Sequence, residues 1–251
     1  MSEDIELRLL KEIEELKRKV HLLEADSKNL DELPTYSFSK ITRNDLDNLV
    51  DIEKDIDKSK FDKWFNNNIK VSKEIEEFFR NLILENESLL YDYNEEDLKA
   101  SFIIPILNRV KFKSFDNKFR DFYELPIVYR TDKFILKGTT DFVVSKGLTK
   151  SIKPYFFIQE FKKGHLNAYP EPQLLAELIS AVELNNWSSI RGAYIVGAIW
   201  NFVILERLDR HKYIYYISSN FDSTKIEDLK DIYRNLIFVK NEIIELIKSE
   251  T

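Results

Sequence analysis

The sequence has no cysteine, which excludes structural disulfides and thiolate metal sites alike. Histidine is nearly as scarce, with three residues in 251. Any metal site must therefore be built from oxygen ligands, which favours hard cations such as Mg2+ over structural zinc. No uninterrupted apolar run approaches the roughly 20 residues needed to span a bilayer. The first residues, Met1-Ser2-Glu3-Asp4, are charged and unlike a signal peptide. The expectation is a soluble, cytoplasmic protein with no membrane partner. A P-loop, an HNH-type histidine cluster and a Ser/His/Asp set are also missing, as are internal repeats and low-complexity linkers.

What the chain does have is core-forming material and an uneven charge distribution. Hydrophobic residues make up 43% and aromatics 13%, enough for one large domain, or a medium domain with an appendage. The formal net charge is −6, which by itself argues against a nucleic-acid partner. Yet residues 101–165 carry 13 Lys/Arg against 6 Asp/Glu, whereas residues 1–100 carry 16 against 26. A basic middle between acidic ends fits one cationic groove on an otherwise acidic protein, and equally a solvated lysine-rich face.

Three regions follow along the chain. In residues 1–33, Leu9, Leu16, Leu23 and Leu30 recur every seven positions, with Ile13 and Val20 between them and Ser27 breaking the series. This predicts a short coiled-coil helix over 5–30, and through it a homodimer; a single amphipathic helix folded back on its own domain is the alternative. Pro34 ends that helix. Residues 34–93 are charged and mixed. They predict helices from Thr42 through Asp55 and over 71–86, packing on the domain that follows.

Residues 94–251 change texture. Asn94 is placed to cap a helix with Glu95, Glu96 and Asp97 in its first turn and Leu98, Phe102, Ile106 and Val110 on its apolar face. Strand-like runs follow at 121–128, 134–136, 140–144 and 155–161, the last apolar enough to be central. A helix over 171–185 opens with Pro170 and Pro172. Strands at 193–196, 200–205 and 213–217 and one or two helices over 225–248 complete an α/β domain with a mixed sheet.

Two stretches carry chemistry. In Lys137-Gly-Thr-Thr-Asp141-Phe-Val-Val an acid opens an apolar strand. In Phe156-Phe-Ile-Gln-Glu160-Phe-Lys162 a hydrophobic strand ends in Glu-Phe-Lys. Strand side chains alternate, so Glu160 and Lys162 share a face while Phe161 points into packing. If the two strands are hairpin neighbours, Asp141 lies beside Glu160. Adjacent carboxylates raise each other's pKa, and both stay ionised only where a cation compensates. Mg2+ has that charge and takes oxygen ligands while keeping several waters. An adjoining lysine suits the charge that develops during phosphodiester hydrolysis.

With Asp141, then Glu160-Phe161-Lys162 with the acids 19 positions apart, the sequence resembles the PD-(D/E)xK nuclease superfamily. The resemblance spans about residues 94–217, roughly half the chain. Gln173 falls where many members place a glutamine on the next helix. Glu95, with Glu96 as fallback, falls where many place a glutamate on the preceding one. Gly192 to Val203 resembles the strand–turn–strand pair that follows. Thr140 stands where the family pattern has proline. The resemblance implies a restriction-endonuclease-like core and a Mg2+- or Mn2+-dependent nuclease, with DNA the likelier substrate over RNA. It implies Asp141, Glu160 and the Phe161 carbonyl as metal ligands, Lys162 as the group assisting the nucleophile, and Gln173 and Glu95 as orienting residues. Lys153, Lys163 and His165 are candidate phosphate contacts or simply solvated; Tyr169 and Trp200 suit packing better than base stacking. The competing reading is a catalytically silent nucleic-acid-binding or oligomerisation module of the same fold.

Overall fold

The computed structural model describes residues 33–162 and 169–249, together with Ile13, Leu16, Lys17 and Lys19, which are helical. Apart from those four positions, the heptad segment and the dimer it predicts lie outside the described residues, as do Lys163 and His165.

Among the described residues ten strands form one mixed sheet; eight lie in the order β2-β9-β8-β7-β6-β5-β4-β3, while β1 pairs with β5 and β10 with β8 off that path. They are β1 (Thr35–Ser37), β2 (Asp51–Asp55), β3 (Lys113–Ser114), β4 (Phe119–Arg130), β5 (Ile135–Lys146), β6 (Ile152–Lys162), β7 (Ser189–Val196), β8 (Ile199–Asp209), β9 (Lys212–Ile217) and β10 (Phe221–Asp222). The β6–β7 pair is parallel, as are β2–β9 and β1–β5, and the rest are antiparallel. The helices are α1 (Arg43–Leu49), α2 (Asp62–Phe65), α3 (Lys73–Asn86), α4 (Glu95–Leu98), α5 (Ile104–Val110), α6 (Glu171–Asn185) and α7 (Ile226–Ser249), with a π-helical turn at Lys99–Ile103 joining α4 to α5.

Helices cover both faces of the sheet. On one, Phe142, Phe157, Phe161, Trp200 and Phe202 pack against α3, α5 and α7 through Phe79, Ile106, Leu236 and Ile243. On the other, Val143, Ile158, Tyr194, Val203 and Tyr215 pack against α6. From Glu171 to Val182 every residue of α6 is buried. A helix apolar on all sides belongs inside a layer, and the run Leu174, Leu175, Ala176, Leu178, Ile179 and Ala181 supplies that character. Gly192 lets α6 approach β7: a Cβ there would lie 2.9 Å from both Ile158 O and Leu178 Cδ2.

Two expectations change. The helix from Thr42 stops at Leu49, and Asp51–Asp55 is a strand paired parallel with β9. The start was legible, since Thr42 and Asp45 form a reciprocal capping box. The end was hidden in a period of two: Ile52 is buried between exposed Asp51 and Glu53, the alternation of a half-covered edge strand. The region 34–93 thus contributes strands β1 and β2 as well as helices. The runs at 134–136 and 140–144 are one continuous strand, β5, whose first residues pair with β1 and whose last pair with β6.

The apolar face Leu98, Phe102, Ile106 and Val110 is buried as expected. Its spacing of four overshoots the 3.6 residues of an α-turn. The wider π-turn at Lys99–Ile103 takes up that drift, and such turns are frequent at functional sites.

Candidate active site

The hairpin β5–β6 brings the sequence-identified acids together. Phe142 pairs with Gln159, so the next step of the register sets Asp141 opposite Glu160. The Phe161 N–H donates to Asp141 Oδ2 at 2.8 Å. The carbonyl expected as a ligand thus belongs to a residue whose amide already fixes the first acid. On the far side of Asp141, Glu124 of β4 falls between the pairs Tyr123↔Phe142 and Leu125↔Thr140, with φ 50°. Asp141 therefore lies between acids on both neighbouring strands. A left-handed glutamate costs on the order of 1–3 kcal/mol and persists where surrounding structure over-determines it.

Two lysines answer these carboxylates. Lys162 Nζ lies 2.6 Å from Glu160 Oε1 and 4.0 Å from Glu95 Oε1. Lys99 Nζ donates to Asp141 Oδ1 at 2.9 Å and lies 3.3 Å from Glu95, 3.5 Å from Glu96 and 3.7 Å from Glu124. Lys99 follows Glu95 by one helical turn, so both reach the strand ends from the same helix face. Glu95 contacts both lysines; Glu96 contacts Lys99 alone and is far more exposed.

Helix α6 adds the deepest groups. Gln173 Nε2 donates to Glu177 Oε1 at 3.1 Å, one turn along the same helix. Gln173 is thus tied to the acids through Glu177, which is fully buried and whose Oε2 has no hydrogen-bond partner. Both Glu160 oxygens also lack an aligned hydrogen bond, so the Lys162 contact is an ion pair without good donor geometry.

Protonation follows from this crowding. Burial, then the charge of Asp141, pushes Glu160 up to about 8, against the pull of Lys162. Burial, with Glu160 next, holds Glu177 well above the usual carboxyl range. Burial works against the charge on Lys99, but the hydrogen bond to Asp141 and the charges of Asp141 and Glu95 outweigh it and raise its pKa. Lys162 is raised in the same way, chiefly by Glu160.

Sequence reasoning missed Lys99, Glu124 and Glu177. The signal for Glu177 was a glutamate in the middle of an all-apolar helix, and for Lys99 its place four residues after Glu95. Glu124 left none, because only its backbone conformation and strand neighbours make it notable. Among the described residues, no three His, Cys, Asp or Glu side chains form a ready metal cage. Lys153 lies at the opposite end of β6 from Lys162. Trp200 is buried packing, as expected, whereas Tyr169 is largely exposed and donates to Glu171. The chain matches no known family model and no curated protein.

Proposed function

We propose that this protein is a metal-dependent nuclease with a restriction-endonuclease-like core, hydrolysing phosphodiester bonds, DNA more readily than RNA. The observation that carries this reading is the charge balance of the cluster. Among the described residues, Glu95, Glu96, Glu124, Asp141, Glu160 and Glu177 surround only two ammonium groups, Lys99 and Lys162. Asp141, Glu160 and Glu177 are buried, whereas Glu95, Glu96 and Glu124 reach solvent; three buried carboxylates beside two ammonium groups call for a compensating cation or for protons.

The residues fit Mg2+ or Mn2+. The donors are oxygens, the Glu160 oxygens are buried without hydrogen-bond partners, and Mg2+ is commonly held by one or two carboxylates and several waters rather than by a full protein cage. Asp141 and Glu160, with the Phe161 carbonyl, would hold the ion. When bound, it would polarise the phosphoryl oxygen and make its water more acidic.

The chain's own groups perform the remaining work. Lys162 places a positive charge beside Glu160, where a nucleophilic water and the anionic transition state would sit. Lys99 and the Phe161 N–H fix both oxygens of Asp141 and so its orientation. Glu95 positions the two lysines, and Gln173 positions Glu177.

Hydrolysis of plasmid, linear and single-stranded DNA and of RNA, with Mg2+ or Mn2+, tests the reading. Cleavage should require the divalent ion and fall by at least a hundredfold in Asp141→Ala and Lys162→Ala. Undiminished cleavage by either variant overturns the assignment. Metal-dependent cleavage absent throughout, with salt-sensitive DNA binding retained, would favour a silent nucleic-acid-binding module. Calorimetry with Mn2+ adds an independent readout: binding is expected in the parent protein and not in Asp141→Ala.

A further inference from the structure

The positive charge of the middle segment gathers away from the acids. Two turns stand side by side at the end of the sheet opposite Asp141 and Glu160: Ser114–Lys118 between β3 and β4, and 147–151 between β5 and β6. The Gly147 N–H donates to Lys118 O at 2.7 Å, and Arg120 Nε donates to Leu148 O at 2.7 Å, locking one turn to the other. Within them Asn117 bonds to Ser114 Oγ, and Ser145 Oγ meets Ser151 Oγ at 2.7 Å. Lys118 and Gly147 hold left-handed conformations, φ 51° and 97°.

Lys111, Lys113, Lys118, Lys150 and Lys153 are all exposed on or beside these turns. Among the described residues none of the five is in an ion pair with a carboxylate. The only acid in 113–118 and 146–153 is Asp116. Lys240 of α7, which donates to Val110 O, has its pKa lowered by burial and then by the charge of Lys111. Phe115 projects from the first turn, 72% exposed, and Ile152 flanks the second. Elsewhere about half of the described lysines and arginines are in ion pairs, as Lys60 is with Glu206 and Arg191 with Glu242; what sets these five apart is that they gather on two adjoining turns.

We infer that these paired turns are a docking platform for the phosphate backbone of a nucleic acid, with Phe115 available to a sugar or an unstacked base. The choice of nucleic acid rests on the proposed nuclease reading, whereas the surplus of unpaired cations does not. A prearranged cluster of lysines binds a polyanion by releasing its counterions, and the cross-linked turns spend little ordering entropy in doing so. Five steps along β5 lead from Asp141 to Lys146, about 17 Å at roughly 3.3 Å per residue. At about 3.4 Å per base pair, the platform would grip a duplex about five base pairs from the bond being cut. It would therefore set affinity and reach without reading sequence.

The test is fluorescence anisotropy of a labelled 20-base-pair duplex with the full chain in EDTA, across a salt series. Lys113→Glu/Lys118→Glu/Lys150→Glu should weaken binding at least tenfold at low salt and reduce the log–log salt slope by about 3, roughly one per phosphate contact. A Gln version of the triple variant, checked by circular dichroism, should show a smaller loss in the same direction and guards against misfolding. Lys73→Gln, at an exposed lysine at the start of α3 away from both the platform and the acids, should bind as the parent does. Unchanged affinity and slope in both triple variants overturn the platform. So does loss of binding to phosphatidylserine vesicles with DNA binding intact, which would reassign the turns to an anionic membrane surface. The two readings fail separately: cleavage without any platform effect refutes only the platform, and platform binding without metal-dependent cleavage refutes only the nuclease.

Discussion

Replacing Glu160 by glutamine should change how the stability of this protein depends on pH. In the metal-free protein the Glu160 carboxyl is pushed up from an ordinary value of 4.5 to about 8, by burial first and by the charge of Asp141 second. The folded state thus holds this proton more tightly than the unfolded chain does. The resulting stabilisation is complete below about pH 4.5 and is lost as the pH rises through about 8. Each pH unit within that window costs about 1.4 kcal/mol, so from pH 5 to pH 7.5 the wild-type protein should lose about 3 kcal/mol relative to Glu160→Gln, which cannot ionise. Urea unfolding of both proteins in EDTA, at half-unit pH steps, reads that difference directly. Mg2+ or Mn2+ at millimolar concentration should flatten the wild-type curve, because a cation bound beside Glu160 replaces the proton, and should leave the Gln variant unaffected. Parallel curves for the two proteins between pH 5 and pH 7.5 would refute the reasoning: Glu160 would then be no more reluctant to ionise when folded than when unfolded.

Glu177→Gln should behave similarly without the metal response, being indistinguishable from wild type near pH 4 and more stable at pH 8, since burial holds the Glu177 carboxyl high. Differential scanning calorimetry at the two pH values checks this. Lys99→Met removes the partner that donates to Asp141 Oδ1 at 2.9 Å and leaves a buried carboxylate uncompensated. It should destabilise the metal-free protein by about 3 kcal/mol, with divalent ions restoring part of the loss in thermal melts. Gly192→Ala forces a Cβ to 2.9 Å from Ile158 O and Leu178 Cδ2. Overpacking there should cost about 1–3 kcal/mol in urea unfolding, and by lifting α6 it should loosen Gln173 and Glu177 together.

The sequence by itself determined the parts of this protein that depend on local chemistry. The limits of α6 were legible as Glu171–Asn185, because proline fixes a helix start and an apolar run identifies a buried helix. Asp141 and the pair Glu160 and Lys162 were legible because strand alternation decides which side chains share a face. The restriction to oxygen ligands followed from the absence of cysteine and the scarcity of histidine.

Tertiary structure alone decided the rest. The strand at Asp51–Asp55 exists because β9 offers an edge to pair with, an interaction across about 160 residues that no local window contains. Glu124 enters the site only through the register of β4 against β5, and Glu177 only through the distance at which Gly192 lets α6 settle. Lys99 is aimed by a π-turn that tertiary packing, not helix propensity, selects. The lysines of 101–165 could have lined the acids or formed a solvated face; strand direction sent most of them to the far end of the sheet. Proximity of charges is a long-range property, and so the protonation of Glu160 was set by the fold rather than by the residues around it in sequence.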